Sequence, residues 1–315
     1  MRKIWLDTDP GFDDWFAMLL LACNRDVEWL GTSVVAGNAP LDITLANALA
    51  IKHHYGLTTP LYAGCAQPLL GKRETAQGVL GVMGMRTTGE PLPAVEAAAP
   101  SPEHGVDMLI DTIRRHPGEL SVLAIGPLTN IATAFIRDPS LATQLRELLL
   151  MGGSTGRGNH TPAAEFNIYA DPEAAAVVFN SGVPLRMFGL NVCDQLLLTQ
   201  REVGRVQQIA NAAGTPQARW FAGYLDAYQR IRNRDGTVPM PLFDPIVPAY
   251  LRWPQLFKFM SARVDIELRG TFTRGMTVCN LRLPAGTAGN AEVALQVDGD
   301  SAMTLLLDEV ARLLV

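Results

Sequence analysis

The sequence predicts an α/β fold: an open, mainly parallel (Rossmann-like) sheet in three layers, with a small C-terminal β-containing extension. Two observations predict it. Short apolar runs alternate with helix-period segments over the first two thirds of the chain, and the runs end in Gly, Pro and Asn turn residues. A third observation locates the function: Asp7, Asp9, Asp13 and Asp14 place four carboxylates within eight residues of one another.

The elements follow in order. Ile4, Trp5 and Leu6 suit a buried first strand, Pro10-Gly11 turns the chain, and Trp15, Met18, Leu19 and Ala22 share a helical face. Val27 to Val35 reads as a strand and Leu41 to Tyr55 as a helix. Glu103 to Arg115 is helical, Leu120 to Ile125 a strand and Leu128 to Ile136 helical. Leu148 to Met151, Asp171 to Asn180 and Pro184 to Phe188 continue the alternation. Thr215 to Arg232 reads as one longer helix. Val264 to Leu268, Thr277 to Leu281 and Glu292 to Val297 read as strands before a final helix, either extending the sheet or forming an antiparallel appendage. Gln67 to Pro102 is long and weakly periodic, a candidate mobile loop. No repeat or low-complexity tract divides the chain, so residues 1–315 are expected to form a single domain.

Composition narrows the partners. With 48% hydrophobic residues in 315, the chain can bury a large core. A net charge of -5 gives no electrostatic footprint for nucleic acid, and the run Arg230, Arg232, Arg234 reads as a solvated helix end. Cys23, Cys65, Cys193 and Cys279 form no Cys-x-x-Cys pair, which fits a reducing, cytoplasmic setting without a disulfide framework. The N-terminus enters a strand without a signal-peptide core, and the apolar run from Trp15 to Cys23 is too short to cross a bilayer, so no membrane partner is expected.

The acidic run carries the chemistry. Crowded carboxylates repel, and a folded chain keeps them together when a cation, a polar ligand or a raised pKa relieves the repulsion. A strand, an acidic turn and a helix start would set them beyond the carboxyl end of a strand, where open α/β sheets bind ligands. Asn38, Asn130, Gly152-Gly153, Glu165-Phe166-Asn167 and Asp244 each have a plain reading as turn, cap or loop residues when taken singly.

Taken together and in order, Asp7-Thr8-Asp9-Pro10-Gly11-Phe12-Asp13-Asp14, Gly37-Asn38, Leu128-Thr129-Asn130, Leu150-Met151-Gly152-Gly153, Ala164-Glu165-Phe166-Asn167 and Asp244-Pro245 resemble the successive motifs of the nucleoside hydrolases, the ribonucleoside N-ribohydrolases of inosine-uridine preferring type. The resemblance implies hydrolysis of a ribonucleoside to ribose and free base. It implies Ca²⁺ held by Asp9, Asp14, the Thr129 main-chain carbonyl and Asp244, an all-oxygen set suited to a hard cation. It implies Asp9 as the base that deprotonates a metal-activated water, and Asp13, Asn38, Asn159, Glu165 and Asn167 as sugar contacts, with Met151 lining the ribose pocket. A homodimer or homotetramer in nucleoside salvage or catabolism follows from the same resemblance.

The chain departs from the family pattern on the leaving-group side. Phe243 stands where many members carry a histidine before the last aspartate, and Leu80 aligns with a second histidine on the flexible loop. An aromatic at Phe243 resembles the purine-specific branch, where stacking is thought to raise the proton affinity of the base; Trp220, Tyr224 or Tyr228 would be its partner, and simple packing in the wall is the alternative. His160 lies beside Asn159, near the expected mouth. Two other readings remain: a nucleoside- or sugar-binding protein with weak turnover, and a phosphotransferase suggested by Asp-x-Asp. Lys3, Lys52, Lys72 and Lys258 do not suit the second, none lying at a strand end.

Overall fold

The structure is a computed structural model that describes residues 1–315 apart from 97, 233, 285 and 315. Its strands are β1 (Arg2–Thr8), β2 (Val27–Val34), β3 (Leu61–Ala63), β4 (Leu120–Ala124), β5 (Glu147–Met151), β6 (Leu185–Phe188), β7 (Leu197–Leu198), β8 (Met240–Pro241), β9 (Phe257–Ile266), β10 (Thr277–Asn280) and β11 (Ala291–Val297). Nine of these form one sheet in the order β10-β9-β11-β6-β5-β4-β1-β2-β3, and β7 and β8 pair as a small antiparallel ribbon. From β3 to β11 every pairing is parallel; β9 and β10 then add antiparallel strands at the edge. The C-terminal strands therefore extend the main sheet.

The helices are α1 (Phe12–Cys23), α2 (Leu41–His54), α3 (Gln77–Leu80), α4 (Gly105–Arg115), α5 (Thr129–Arg137), α6 (Leu141–Gln144), α7 (Phe166–Ala170), α8 (Pro172–Phe179), α9 (Leu190–Cys193), α10 (Gln200–Ala213), α11 (Pro216–Gln229), α12 (Ile246–Arg252) and α13 (Gly299–Leu314). They cover both faces. Alternate strand residues point to opposite layers: Ile4, Leu6, Leu123 and Leu149 pack with α1, α11, α12 and α13, while Trp5, Val122, Leu148 and Leu150 pack with α4, α5 and α8. A strand buried on both faces needs no polar alternation, which is why these runs read as continuously apolar.

Three sequence expectations change. The helix expected over Thr215 to Arg232 runs only over Pro216–Gln229, and α10 precedes it unforeseen. Gly214 at φ +66° closes α10 in the left-handed region, and Thr215 then caps α11 with Pro216 in its first turn. The start of α10 was legible, since Thr199 and Glu202 form a reciprocal capping box. The strand expected from Val264 begins earlier, at Phe257, and the three-residue β3 was too short to show a period. Part of the expected loop is helical: α3 lies inside it.

Strand order positions the site. From β1 the sheet grows one way through β2 and β3, and from β4 the other way through β5, β6 and β11. The reversal lies between β1 and β4, so the connections leaving their carboxyl ends diverge and open a crevice there.

Candidate active site

Asp9 and Ile125 leave β1 and β4 at that crevice. Ile125 N donates to Asp7 O at 2.8 Å, zipping the two strand ends together just below it. Asp9 is buried. Its Oδ2 accepts from Asn38 N at 2.7 Å, whereas its buried Oδ1 has no hydrogen-bond partner. Two glycines make room for this carboxylate: a Cβ on Gly37 would collide with Oδ2, and one on Gly126 would fall 2.6 Å from Oδ1.

The first turn of α1 supplies Asp13 and Asp14. Asp14 accepts from Thr8 Oγ1, from Asp9 N at 3.2 Å and from Gly11 N at 3.0 Å, so it also caps the helix start. Asn38 Nδ2 joins the acids, donating to Asp9 O at 3.1 Å and Asp14 Oδ2 at 3.0 Å. Asp244 comes from far along the chain, between β8 and α12. Its carboxylate caps no helix; together Asp13, Asp14 and Asp244 offer oxygens within 4.8 Å of one another. Burial, then the neighbouring charges of Asp13, Asp14 and Asp9, push the Asp244 carboxyl well above its usual range. Burial and then the charge of Asp14 do the same to Asp9, and burial raises Asp13 to about 7.

Over this floor lies a cavity of about 510 Å³. Asp13, Asn38, Met151, Asn159, Glu165, Asn167, Phe243 and Asp244 all line it, so seven expected substrate contacts and one expected metal ligand converge. Glu165 is held by Gly153 N at 2.8 Å and Asn167 N at 2.9 Å, yet burial raises its carboxyl to about 7. Asn167 Nδ2 donates to Ile125 O at 3.0 Å and Met151 O at 3.1 Å. Asn159 Oδ1 accepts from Phe166 N at 2.9 Å, fixing the loop before α7.

Thr129 is not brought to the cavity. The strand ends at Ala124, and Gly126-Pro127 carries Thr129 into α5, where its carbonyl accepts from Thr133 Oγ1 at 2.7 Å and its hydroxyl donates to Asp171 Oδ2 at 2.7 Å. The carbonyl at the strand end, on the cavity wall, is that of Ile125. No motif marked Ile125, because a main-chain ligand leaves no trace in residue type.

The aromatic wall also differs from expectation. Tyr228 lines the cavity with Phe243, whereas Tyr224 donates no bond there: its hydroxyl accepts from Leu92 N at 3.0 Å and its ring packs on Trp15. Trp220 packs on His54 instead. Leu80 and His160 do reach the lining, as do Arg157 and Arg232, neither of which was singled out as a site residue. Arg232 thus leaves the solvated helix end in which its run was read, while Arg230 pairs with Asp226 at 3.0 Å. Asp7 sits behind Asp9, its Oδ2 accepting from Ser33 Oγ and from Asn130 Nδ2 at 2.7 Å; burial raises it to about 7. Among the described residues no helix is long and apolar enough to cross a membrane.

Known proteins share this arrangement over their whole length. The chain is 36% identical to a pyrimidine-specific ribonucleoside hydrolase, RihB, of Escherichia coli O9:H4 (strain HS), over 95% of this chain and 94% of that protein. It superposes on the purine-preferring ribonucleoside hydrolase from Gardnerella vaginalis with a TM-score of 0.88 at 27% identity, covering 99% of both chains. It superposes on a plant nucleoside hydrolase, PpNRh1, with a TM-score of 0.87 at 26% identity, covering 98% of this chain and 99% of the other. Fold and relatives thus define an enzyme of the nucleoside hydrolase class. Residues 4–304 match the profile of the inosine-uridine preferring nucleoside hydrolases, and the chain belongs to that family.

Proposed function

We propose that this enzyme cleaves the N-glycosidic bond of ribonucleosides with a metal-activated water, Asp9 acting as general base. The observation that carries the reading is the unpartnered Oδ1 of Asp9, buried at the crevice floor beside Asp14 and clamped by two glycines. A buried acceptor without a partner is costly unless a ligand completes it. The donor set is all oxygen: Asp9, Asp14 and Asp244, with the Ile125 carbonyl in the role first expected of Thr129. Such a set fits a hard divalent cation of the calcium type, which when bound activates water and grips a sugar diol.

The chain's own groups account for the rest. Asp13, Asn38, Asn159, Glu165 and Asn167 hold the ribose hydroxyls, with Met151 against the sugar face. Asp9 takes the proton of the attacking water as its oxygen bonds to C1′, and the nearby carboxylates stabilise positive charge growing on the ribose ring. Phe243 stacks on the base from the wall it shares with Tyr228. The family match over residues 4–304 supports reading 1–315 as one domain, and a cytoplasmic homodimer or homotetramer in nucleoside salvage accords with it.

A panel of inosine, adenosine, uridine and cytidine, assayed for released reducing sugar with and without chelator, tests the proposal. Ribose release that chelator abolishes and Ca²⁺ restores is expected. Binding without release would favour a carrier that has lost turnover, and chelator-resistant release would remove the metal from the reading.

A further inference from the structure

The cavity is polarised from floor to mouth. Its floor gathers Asp13, Glu165 and Asp244, while its outer wall carries two guanidiniums, Arg157 and Arg232. Both face one carboxylate, Asp194: Arg157 Nη2 at 2.6 Å and Arg232 Nη2 at 3.8 Å. Two cations on one anion leave surplus positive charge at the mouth. Arg232 is the more loosely held, its other described contact being a 3.3 Å bond from Nη1 to Pro239 O. With five donors in a rigid fork, it has hydrogen-bonding capacity to spare.

The wall beside Arg232 holds no obvious proton donor for a leaving base. Val79, Leu80, Ile231, Met240 and Phe243 are apolar. Tyr228 spends its hydroxyl on Pro241 O at 2.6 Å, and burial raises its phenol well above the usual value. His160 packs against Tyr169 with ring centres 4.6 Å apart, on the side of Asn159.

We propose that Arg232 binds the departing base through an oxygen conjugated with its glycosidic nitrogen, so that the enzyme's substrates are ribonucleosides of oxo-bases. This rests on the hydrolytic reading above. The water oxygen bonds to C1′ while its proton passes to Asp9; the C1′–N bond breaks, and its electron pair goes to the base nitrogen and spreads onto the conjugated oxygen. A guanidinium does not release its proton at neutral pH, so it stabilises this anion electrostatically, and solvent protonates the base after release. An exocyclic amino group in place of the oxygen would set donors against donors.

The test compares wild type, Arg232→Gln and Arg232→Ala on inosine, uridine, adenosine and p-nitrophenyl riboside, whose nitrophenolate leaves without help. Wild type should favour inosine and uridine over adenosine. Both variants should lose at least tenfold in kcat on inosine and uridine and less than threefold on p-nitrophenyl riboside, which also reports an intact fold. Equal losses on every substrate, no loss on any, or a wild-type preference for adenosine would overturn the proposal. If wild type cleaves none of the four, the hydrolytic reading itself fails; if it cleaves them but the variants keep its substrate ratios, only the role of Arg232 does.

Discussion

Gly37 lies against Asp9 so closely that a single methyl group on its Cα would overlap Oδ2 of the carboxylate. Space for the proposed base is therefore set by a residue on the neighbouring strand's turn, whose successor Asn38 donates its main-chain N–H to the same oxygen at 2.7 Å. Gly37→Ala should lower kcat by at least tenfold, with far-ultraviolet circular dichroism unchanged. Full activity in that variant would show that the Asp9 rotamer is not what the turn protects.

Asp9→Asn removes the proton acceptor but keeps the shape. Loss of a general base costs on the order of 10²–10⁴-fold in rate. Turnover should drop into that range while the melting temperature stays within a few degrees of wild type, and retained turnover would assign the base elsewhere.

Thr129→Ala should separate structure from catalysis. The hydroxyl bonds Asp171 inside the fold, so the variant should lose about 1 kcal/mol of stability by urea titration. Its kcat should remain within twofold of wild type, because neither polar group of Thr129 faces the cavity. A collapse in Ca²⁺-dependent activity would restore it as a ligand.

Stability of the metal-free chain should fall as pH rises. Asp7 and Glu165 titrate at about 7 when folded, raised by burial from the ordinary carboxylate range near 4, so the folded chain holds more protons than the unfolded one between those values. The melting temperature in chelator should therefore be lower at pH 8 than at pH 5.5, and Ca²⁺ should raise it most at pH 8. Asp7→Asn should flatten the chelator profile; a profile that climbs with pH would contradict the assignment.

Phe243→Ala should weaken purine cleavage more than pyrimidine cleavage if its ring stacks on the base. Equal effects, measured as kcat/KM on inosine and uridine, would leave it a packing residue.

Much of this site could be read from residue types because the acids sit in a short run whose crowding needs relief, and because Asn38, Glu165 and Asn167 follow strand ends. Asp244 was legible only through the ordered motifs, since nothing local ties it to a turn more than two hundred residues earlier. The Thr129 expectation failed for a geometric reason: a carbonyl's direction depends on where the strand stops, and Gly126-Pro127 moves Thr129 into the helix. Arg232 was obscured because a run of three arginines at a helix end reads as solvated, and its place in the cavity depends on tertiary packing. In the fold, the doubly buried strands were clear, while β3 and the break at Gly214 needed neighbours or a cap to define them.

The divergence of the chain at β1 and β4 also partitions the enzyme's evolutionary freedom. Sugar chemistry hangs on strand termini pinned in the middle of a nine-stranded sheet, whereas the nucleobase meets segments such as α3 and the stretch after α11, which no strand pairing constrains. Drift in those peripheral segments can retune which base is accepted while the riboside-cleaving apparatus stays in register.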